Sequence, residues 1–160
     1  IPSGLDDSKK LSPSNRNQLR KEIEATAAAW AVASVDAATI DELNILRASI
    51  LAMHRAIRQL SLRPALLLVD GNRFTAIEDI PFRTVVGGDG IYASIAAASI
   101  LAKTHRDEYM ETLHGYYPAY GWDANKGYPT PHHIQALRRC GPSPFHRRTF
   151  SVKGQTSLPF

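Results

Sequence analysis

The sequence predicts an α/β domain with a central sheet flanked by helices, and three observations carry that prediction. Strand-like and helix-like stretches alternate along the chain, the pattern of a sheet covered by helices. Ala65–Asp70 is a continuous apolar run, as in strands buried on both faces of a parallel sheet, and Phe82–Val86, between Pro81 and Gly87-Gly88, is a second short strand candidate. A chain of 160 residues, 44% of them apolar, suffices to bury one core. Composition then narrows the function classes. A net charge of +4 and a pI near 9.4 favour anionic partners, nucleic acid among them. No apolar run approaches the roughly 20 residues that span a bilayer, and Ile1 opens no signal-peptide pattern, so a soluble, cytoplasmic protein with no membrane partner is expected. The single cysteine, Cys140, excludes an internal disulfide, and no Cys/His cluster has zinc spacing.

In chain order, Ile1–Lys10 is rich in turn formers and reads as a loop whose function lies in its charges. Ser12 is an N-cap before Pro13, and the polar segment to Ala29 carries Leu19, Ile23 and Ala27 at helical spacing, an amphipathic surface helix. Ala28–Val35, small, apolar and partly β-branched, reads as a buried strand starting near Trp30, with the end of the preceding helix as its alternative. Asp36 and Thr39 offer caps for one long helix over residues 38–61, whose apolar positions Ile40, Leu43, Leu46, Ile50, Met53, Ile57 and Leu60 recur every three to four residues. Arg63-Pro64 breaks it before the first continuous strand, and Gly71-Asn72 turns the chain after it. Pro81 precedes the second strand, Gly87-Gly88 ends it, and Tyr92–Tyr109 forms a helix whose Ala and Ser residues allow close packing. The stretch YYPAYGWDANKGYPTPHH is too irregular for a strand and too aromatic for a plain linker. A short helix over Pro131–Arg139, capped by Thr130 and stopped by Cys140-Gly141-Pro142, leads into a basic tail. The expected organisation is an α/β core over residues 1–112 and a helical and irregular extension of the same domain over 113–160.

Both strand candidates end beside an acid. Ligands of open α/β sheets bind beyond the carboxyl ends of the strands, so Asp70 is placed to hold a metal; an aspartate before glycine is also a common turn residue. Asp89, set among Gly87, Gly88 and Gly90, has the same two readings, since glycines permit close backbone approach and also simply make loops. Together the two acids point to a hard divalent cation, which gathers carboxylate oxygens from different elements, and to metal-assisted phosphoryl transfer. Such clusters usually hold three or four acids. Lys9 and Lys10 beside Ser8 suit a phosphate backbone or a solvated loop. Ser99, Lys103, Arg106 and Asp107 share a helix, where Lys103 and Asp107 form an i, i+4 pair read as structural. Tyr128, after Lys126-Gly127, suits stacking on a sugar or base as well as packing. His146-Arg147-Arg148 is a positive patch suited to phosphates. His132 and His133 lack metal spacing and read as solvated helix surface.

The segments GLDDSKKLSPSNR (Gly4–Arg16), DELNILRASILAMHRAI (Asp41–Ile57), LLLVDGNR (Leu66–Arg73), GGDGIYASIAAASILAKTHRD (Gly87–Asp107), YPAYGWDANKGYPTPHH and GPSPFHRRTF resemble, in order and spacing, the bacterial ribonuclease HII family. The resemblance runs from Gly4 to about Val152. It implies a ribonuclease-H-like α/β fold, a central mixed sheet flanked by helices, with a small helical and irregular C-terminal part. It also implies hydrolysis, dependent on Mg²⁺ or Mn²⁺, of the RNA strand of RNA–DNA hybrids. That activity includes incision on the 5′ side of a ribonucleotide embedded in a DNA duplex, leaving 3′-hydroxyl and 5′-phosphate ends. The implied partner is an RNA–DNA hybrid or a ribonucleotide-containing duplex, met by a monomer. Of the family's four site carboxylates, Asp70 matches the third and Asp89 the fourth. Tyr128 matches the tyrosine that packs on the sugar at the RNA–DNA junction, and Lys9 and Lys10 match the substrate-facing DSKKL loop. Lys126, Arg147 and Arg148 are assigned with them to the substrate, and Ser99, Lys103 and Asp107 to structural support.

The chain also departs from the family's pattern. The first two carboxylates, and the Gly-Arg-Gly segment that reads the ribose 2′-hydroxyl, belong to a DEAGRG motif that occurs nowhere in the 160 residues. The resemblance therefore predicts that the first strands of the sheet are missing, with edge groups and apolar surface left uncovered, and that this chain alone does not cleave. The alternative function is that of a catalytically silent hybrid-binding remnant. Gly87 stands where the family usually has lysine, and Asn125 where histidine usually precedes Lys-Gly-Tyr.

Overall fold

The two strand candidates, Ala65–Asp70 and Phe82–Val86, pair with each other. In the computed structural model, which describes residues 8–150 together with Pro2, Gly4 and Leu5, β1 (Leu67–Asp70) and β2 (Phe82–Val85) form a two-stranded parallel sheet. Leu67 lies opposite Phe82 and Asp70 opposite Val85, with Leu67 N–H donating to Pro81 O (2.9 Å) and Gly71 N–H to Val85 O (2.8 Å). Parallel pairing brings the carboxyl ends of both strands to the same edge. The helices in chain order are α1 (Pro13–Thr26), α2 (Ala37–Leu43), α3 (Ile45–Gln59), α4 (Ala93–Tyr116), α5 (Trp122–Asn125) and α6 (Pro131–Cys140). Among the described residues, none of them is long and apolar enough to cross a membrane.

The chain divides into two units, Ile1–Ala33 with Met53–His105, and Ser34–Ala52 with Arg106–Phe160. In the first, Leu67, Val69, Ile77 and Ile80 are buried with Met53, Ile57 and Phe74 packed against them. A second cluster there joins Leu19 and Ile23 of α1 to Ile100 and Leu101 of α4. The Ala and Ser content of α4 serves this close approach: Ala96 and Ile100 are almost fully enclosed. The second unit is organised on aromatic residues, with Met110, Leu113, Tyr120, Trp122 and Ala136 buried together beside Tyr117 and Leu137.

The caps read from the sequence form. Ser12 Oγ accepts from Asn15 N–H, Asp36 Oδ1 from Thr39 N–H and Thr130 Oγ1 from His133 N–H. Two expectations are corrected. Residues 28–35 form no strand: the segment bends at residues 28–29 and then runs without regular structure, and Val32 packs against Leu19, Ile23, Ile100 and Leu101 instead. The single helix over 38–61 is two helices. Asn44, in the left-handed region at φ 70, closes α2 with its N–H on Ile40 O and opens α3 with its Oδ1, which accepts from Leu46 and Arg47 N–H (3.0 and 3.2 Å). The apolar periodicity runs straight through that break. The helix expected to end at Tyr109 continues to Tyr116, and the irregular stretch after it folds as two short turns of helix, Pro118–Tyr120 and α5.

Candidate active site

The shared carboxyl edge of β1 and β2 carries both acids that the sequence singles out. Asp70 is the last residue of β1; β2 runs into Gly87, left-handed at φ 66, and then a 3₁₀ turn over Gly88–Gly90 that holds Asp89. The two segments are tied directly, because Gly88 N–H donates to Asp70 Oδ1 at 2.9 Å. Gly88 is glycine for want of room: a Cβ there would stand 2.5 Å from Ile95 Cδ1 and 3.3 Å from Val85 Cβ. Tyr92 N–H donates to Gly88 O, so the turn passes directly into α4. Asp70 is exposed and Asp89 half-buried.

A hard divalent cation takes about six oxygen ligands. Asp70 and Asp89 fit it as anionic ligands from two elements at a glycine-rich edge. Among the described residues no group of three or more His, Cys, Asp or Glu comes together, so this pair is the whole of their contribution.

The loop carrying Lys9 and Lys10 is shaped from beneath. Ser8, buried, shares a hydrogen bond with Ser99 of α4 (2.9 Å between hydroxyl oxygens), and Arg16 Nη1 donates to Ser8 O and Leu11 O (2.8 and 2.6 Å). Both lysines are exposed. Asp6 and Asp7 lie outside the described residues. Lys103 and Asp107 are half-buried on α4.

In the second unit, Lys126 and Gly127 turn the chain in the left-handed region (φ 49 and 84), and Lys126 Nζ pairs with Glu111 Oε1 at 2.5 Å. Asn125, buried, braces the turn: its Oδ1 accepts from Gly127 N–H (2.8 Å) and its Nδ2 donates to Tyr120 O (2.7 Å). Tyr128 follows, 65% exposed, with its N–H on Asn125 O (2.8 Å). His133 is not solvated surface, as its polar neighbours suggest, but 5% exposed; its ring nitrogens face Tyr128 O and His146 Nε2, each at 3.0 Å. Burial pushes the His133 imidazole below its ordinary range. It does the same to His146, which burial and the neighbouring His133 bring to about 4.

The basic tail is less free than its sequence suggests. Asp41 of α2 accepts from Arg148 N–H (2.6 Å) and from Thr149 N–H and Oγ1 (3.1 and 2.5 Å). Burial works to raise the Asp41 carboxyl, but these bonds and the Arg147 charge together hold it below its ordinary value. The Arg147 guanidinium lies 3.8 Å over the Phe150 ring, while Arg148 is exposed. The bracing roles of Asn125, Asp41 and His146 have no signal in the sequence beyond residue type.

A family profile described as Ribonuclease HII matches residues 2–153. Ribonuclease HII of Bacteroides thetaiotaomicron is 58% identical over 154 residues, 96% of this chain and 77% of that protein. That of Parabacteroides distasonis is 60% identical over 148 residues, 92% of this chain and 74% of the relative. The crystal structure of the ribonuclease H2 from Pyrococcus horikoshii OT3 superposes with a TM-score of 0.76 at 24% identity, over 92% of this chain and 77% of that one, a likeness of fold.

Proposed function

This chain belongs to the ribonuclease HII family of endoribonucleases, and from that premise we propose that it recognises RNA–DNA hybrids and ribonucleotide-containing DNA duplexes. In concert with a second acid pair, its carboxylates serve hydrolysis on the 5′ side of the ribonucleotide. The observation that supports the reading most is the bond from Gly88 N–H to Asp70 Oδ1, which ties Asp70 to the turn that carries Asp89. Asp70 and Asp89 hold Mg²⁺ or Mn²⁺ in this reading; such a cation lowers the pKa of an attacking water and steadies the departing oxygen. The Gly88 amide, donating to Oδ1, orients the Asp70 carboxylate, which would still have lone pairs on both oxygens for the cation.

The remaining residues bind and orient. Lys9 and Lys10 project from a loop pinned by Ser99 and Arg16, and they neutralise backbone phosphates. Tyr128 lies against the sugar at the RNA–DNA junction. Lys126, held by Glu111, and Arg148 add positive charge, while Arg147 secures the tail through Phe150. Lys103 and Asp107 support α4.

Two acids are half the set that the family resemblance implies, and the described residues assemble no third. We infer that these 160 residues alone bind hybrid without cleaving it. A DNA duplex with one ribonucleotide, incubated with the chain in Mn²⁺, is expected to stay intact. In a chain that also carries DEAGRG, Asp70→Asn or Asp89→Asn is expected to cost orders of magnitude in rate. Clear turnover by the 160 residues that Asp70→Asn abolishes would overturn the inference; full cleavage by both variants of the longer chain would overturn the roles of the two acids.

A further inference from the structure

We propose that His146 is a positioning residue for Tyr128, acting through His133 along a one-way hydrogen-bond chain that starts at the Ser143 amide and ends on the Tyr128 carbonyl. The proposal rests on the reading of Tyr128 as a substrate contact.

With 65% of Tyr128 exposed, burial does little to aim its ring and the backbone does more. That backbone is held at both polar atoms. Its N–H donates to Asn125 O, and its carbonyl faces Thr130 N–H (2.8 Å) and His133 Nδ1 (3.0 Å). The turn before it needs holding, because Lys126 is a side-chain-bearing residue in the left-handed region, which L side chains disfavour. Asn125 braces one side of the turn and His133 the other.

His133 by itself is ambiguous. A neutral imidazole carries one proton on either nitrogen, and only the Nδ1–H form donates to the Tyr128 carbonyl. His146 removes the ambiguity. Its Nδ1 lies 2.9 Å from the Ser143 N–H, a donor that does not titrate, so in the neutral ring the proton sits on Nε2. That Nε2–H points at His133 Nε2, 3.0 Å away, and forces the His133 proton onto Nδ1. Ser143 Oγ, also 2.9 Å from His146 Nδ1, is a second donor of the same sense.

The surroundings keep both rings neutral and in place. Tyr120 and Trp122 lie 4.7 and 5.0 Å from His146, centroid to centroid, and both are buried. The titratable groups facing the pair are Tyr120, whose hydroxyl donates to Gly141 O, and His132, whose charge opposes protonation of His133. Neither replaces a link in the chain. The contact at the exposed tip of the turn is thus set by a residue in the segment after α6.

The test has two arms. In the unmutated protein, long-range ¹H–¹⁵N NMR is expected to show His146 protonated at Nε2 and His133 at Nδ1; the opposite His133 tautomer overturns the proposal. In the second arm, binding of the chain to a fluorescent DNA duplex with one ribonucleotide is followed by anisotropy. Tyr128→Ala and His146→Phe are each expected to weaken binding about tenfold, as for a lost aromatic stack, and the double variant no further than the weaker single one. His146→Gln, whose amide can donate to His133 Nε2, is expected to restore binding to within about threefold of the unmutated chain. Additive losses, or wild-type binding by His146→Phe when Tyr128→Ala is weakened, overturn the proposal alone. Wild-type binding by Tyr128→Ala overturns the substrate reading of Tyr128, and the proposal falls with it.

Discussion

Three neighbouring glycines give the acid pair a graded test. Gly90 has φ outside the left-handed region and open space where a Cβ would stand, so Gly90→Ala is expected to change stability by less than about 0.5 kcal/mol. Gly87 also has open space but sits at φ 66, and alanine there takes a left-handed penalty of about 1 kcal/mol. Gly88 lacks room. Its added methyl would meet Ile95 Cδ1 at 2.5 Å and Val85 Cβ at 3.3 Å. Ile95 is 5% exposed and cannot swing into water, and Val85 is fixed by the ladder, so the turn itself must shift. Overpacking of this kind costs about 1–3 kcal/mol. At about 2–4 °C per kcal/mol for a chain of this size, the melting temperature is expected to fall about 4–8 °C for Gly88→Ala, taking about 2 kcal/mol from the middle of that range, and about 2–4 °C for Gly87→Ala. Gly90→Ala is expected to melt with the unmutated protein. Thermal unfolding followed by circular dichroism on the three variants reads the order directly. Equal losses, or Gly87→Ala as the worst, would refute the claim that close packing under Asp70 fixes residue 88.

Two more predictions concern the second unit and the helix break. Because burial and His133 hold His146 at about 4, against 6.5 ordinarily, the unfolded chain gains a proton below pH 6.5 that the folded one refuses until about pH 4. The stability this group contributes is therefore complete above pH 6.5 and is lost progressively as pH falls toward 4, by at most about 3 kcal/mol. Urea unfolding at pH 7 and 4.5 should show the loss, and His146→Gln should shrink it; an equal slope in that variant would contradict the assignment. Asn44→Ala removes the acceptor for Leu46 and Arg47 N–H and leaves alanine at φ 70, an expected cost of about 2 kcal/mol in urea unfolding. Asn44→Gly should recover about half of it, since only the cap is then lost.

Much of the fold was legible because local chemistry and tertiary structure agree. The continuous apolar run between Pro64 and Gly71 and the shorter strand candidate between Pro81 and Gly87 became the paired strands, and Ser12, Asp36 and Thr130 became caps. Where they disagree, the sequence misleads. Ala28–Val35 has strand composition, but a strand also needs a neighbouring strand to pair with, and here Val32 packs on α1 and α4 instead. Asn44 interrupts a helix without disturbing its apolar period, so only the backbone reveals it. His133 has the polar neighbour of a surface residue; its burial depends on Tyr120 and Trp122, brought over by an aromatic segment with no period to read. At the candidate site, the placement of Asp70 and Asp89 at one sheet edge followed from strand ends and glycines. The bond that ties Asp70 to the turn carrying Asp89 did not, since its donor is the Gly88 backbone amide and no side-chain pattern announces it.

That choice of donor has an effect on how a cation would be met. A main-chain amide keeps its proton across the whole accessible pH range and has no counter-charge for salt to screen. One oxygen of Asp70 therefore stays anchored whatever the ionic conditions. A cation bound there, as proposed, would meet one acid already oriented and would need little reorganisation of that strand end.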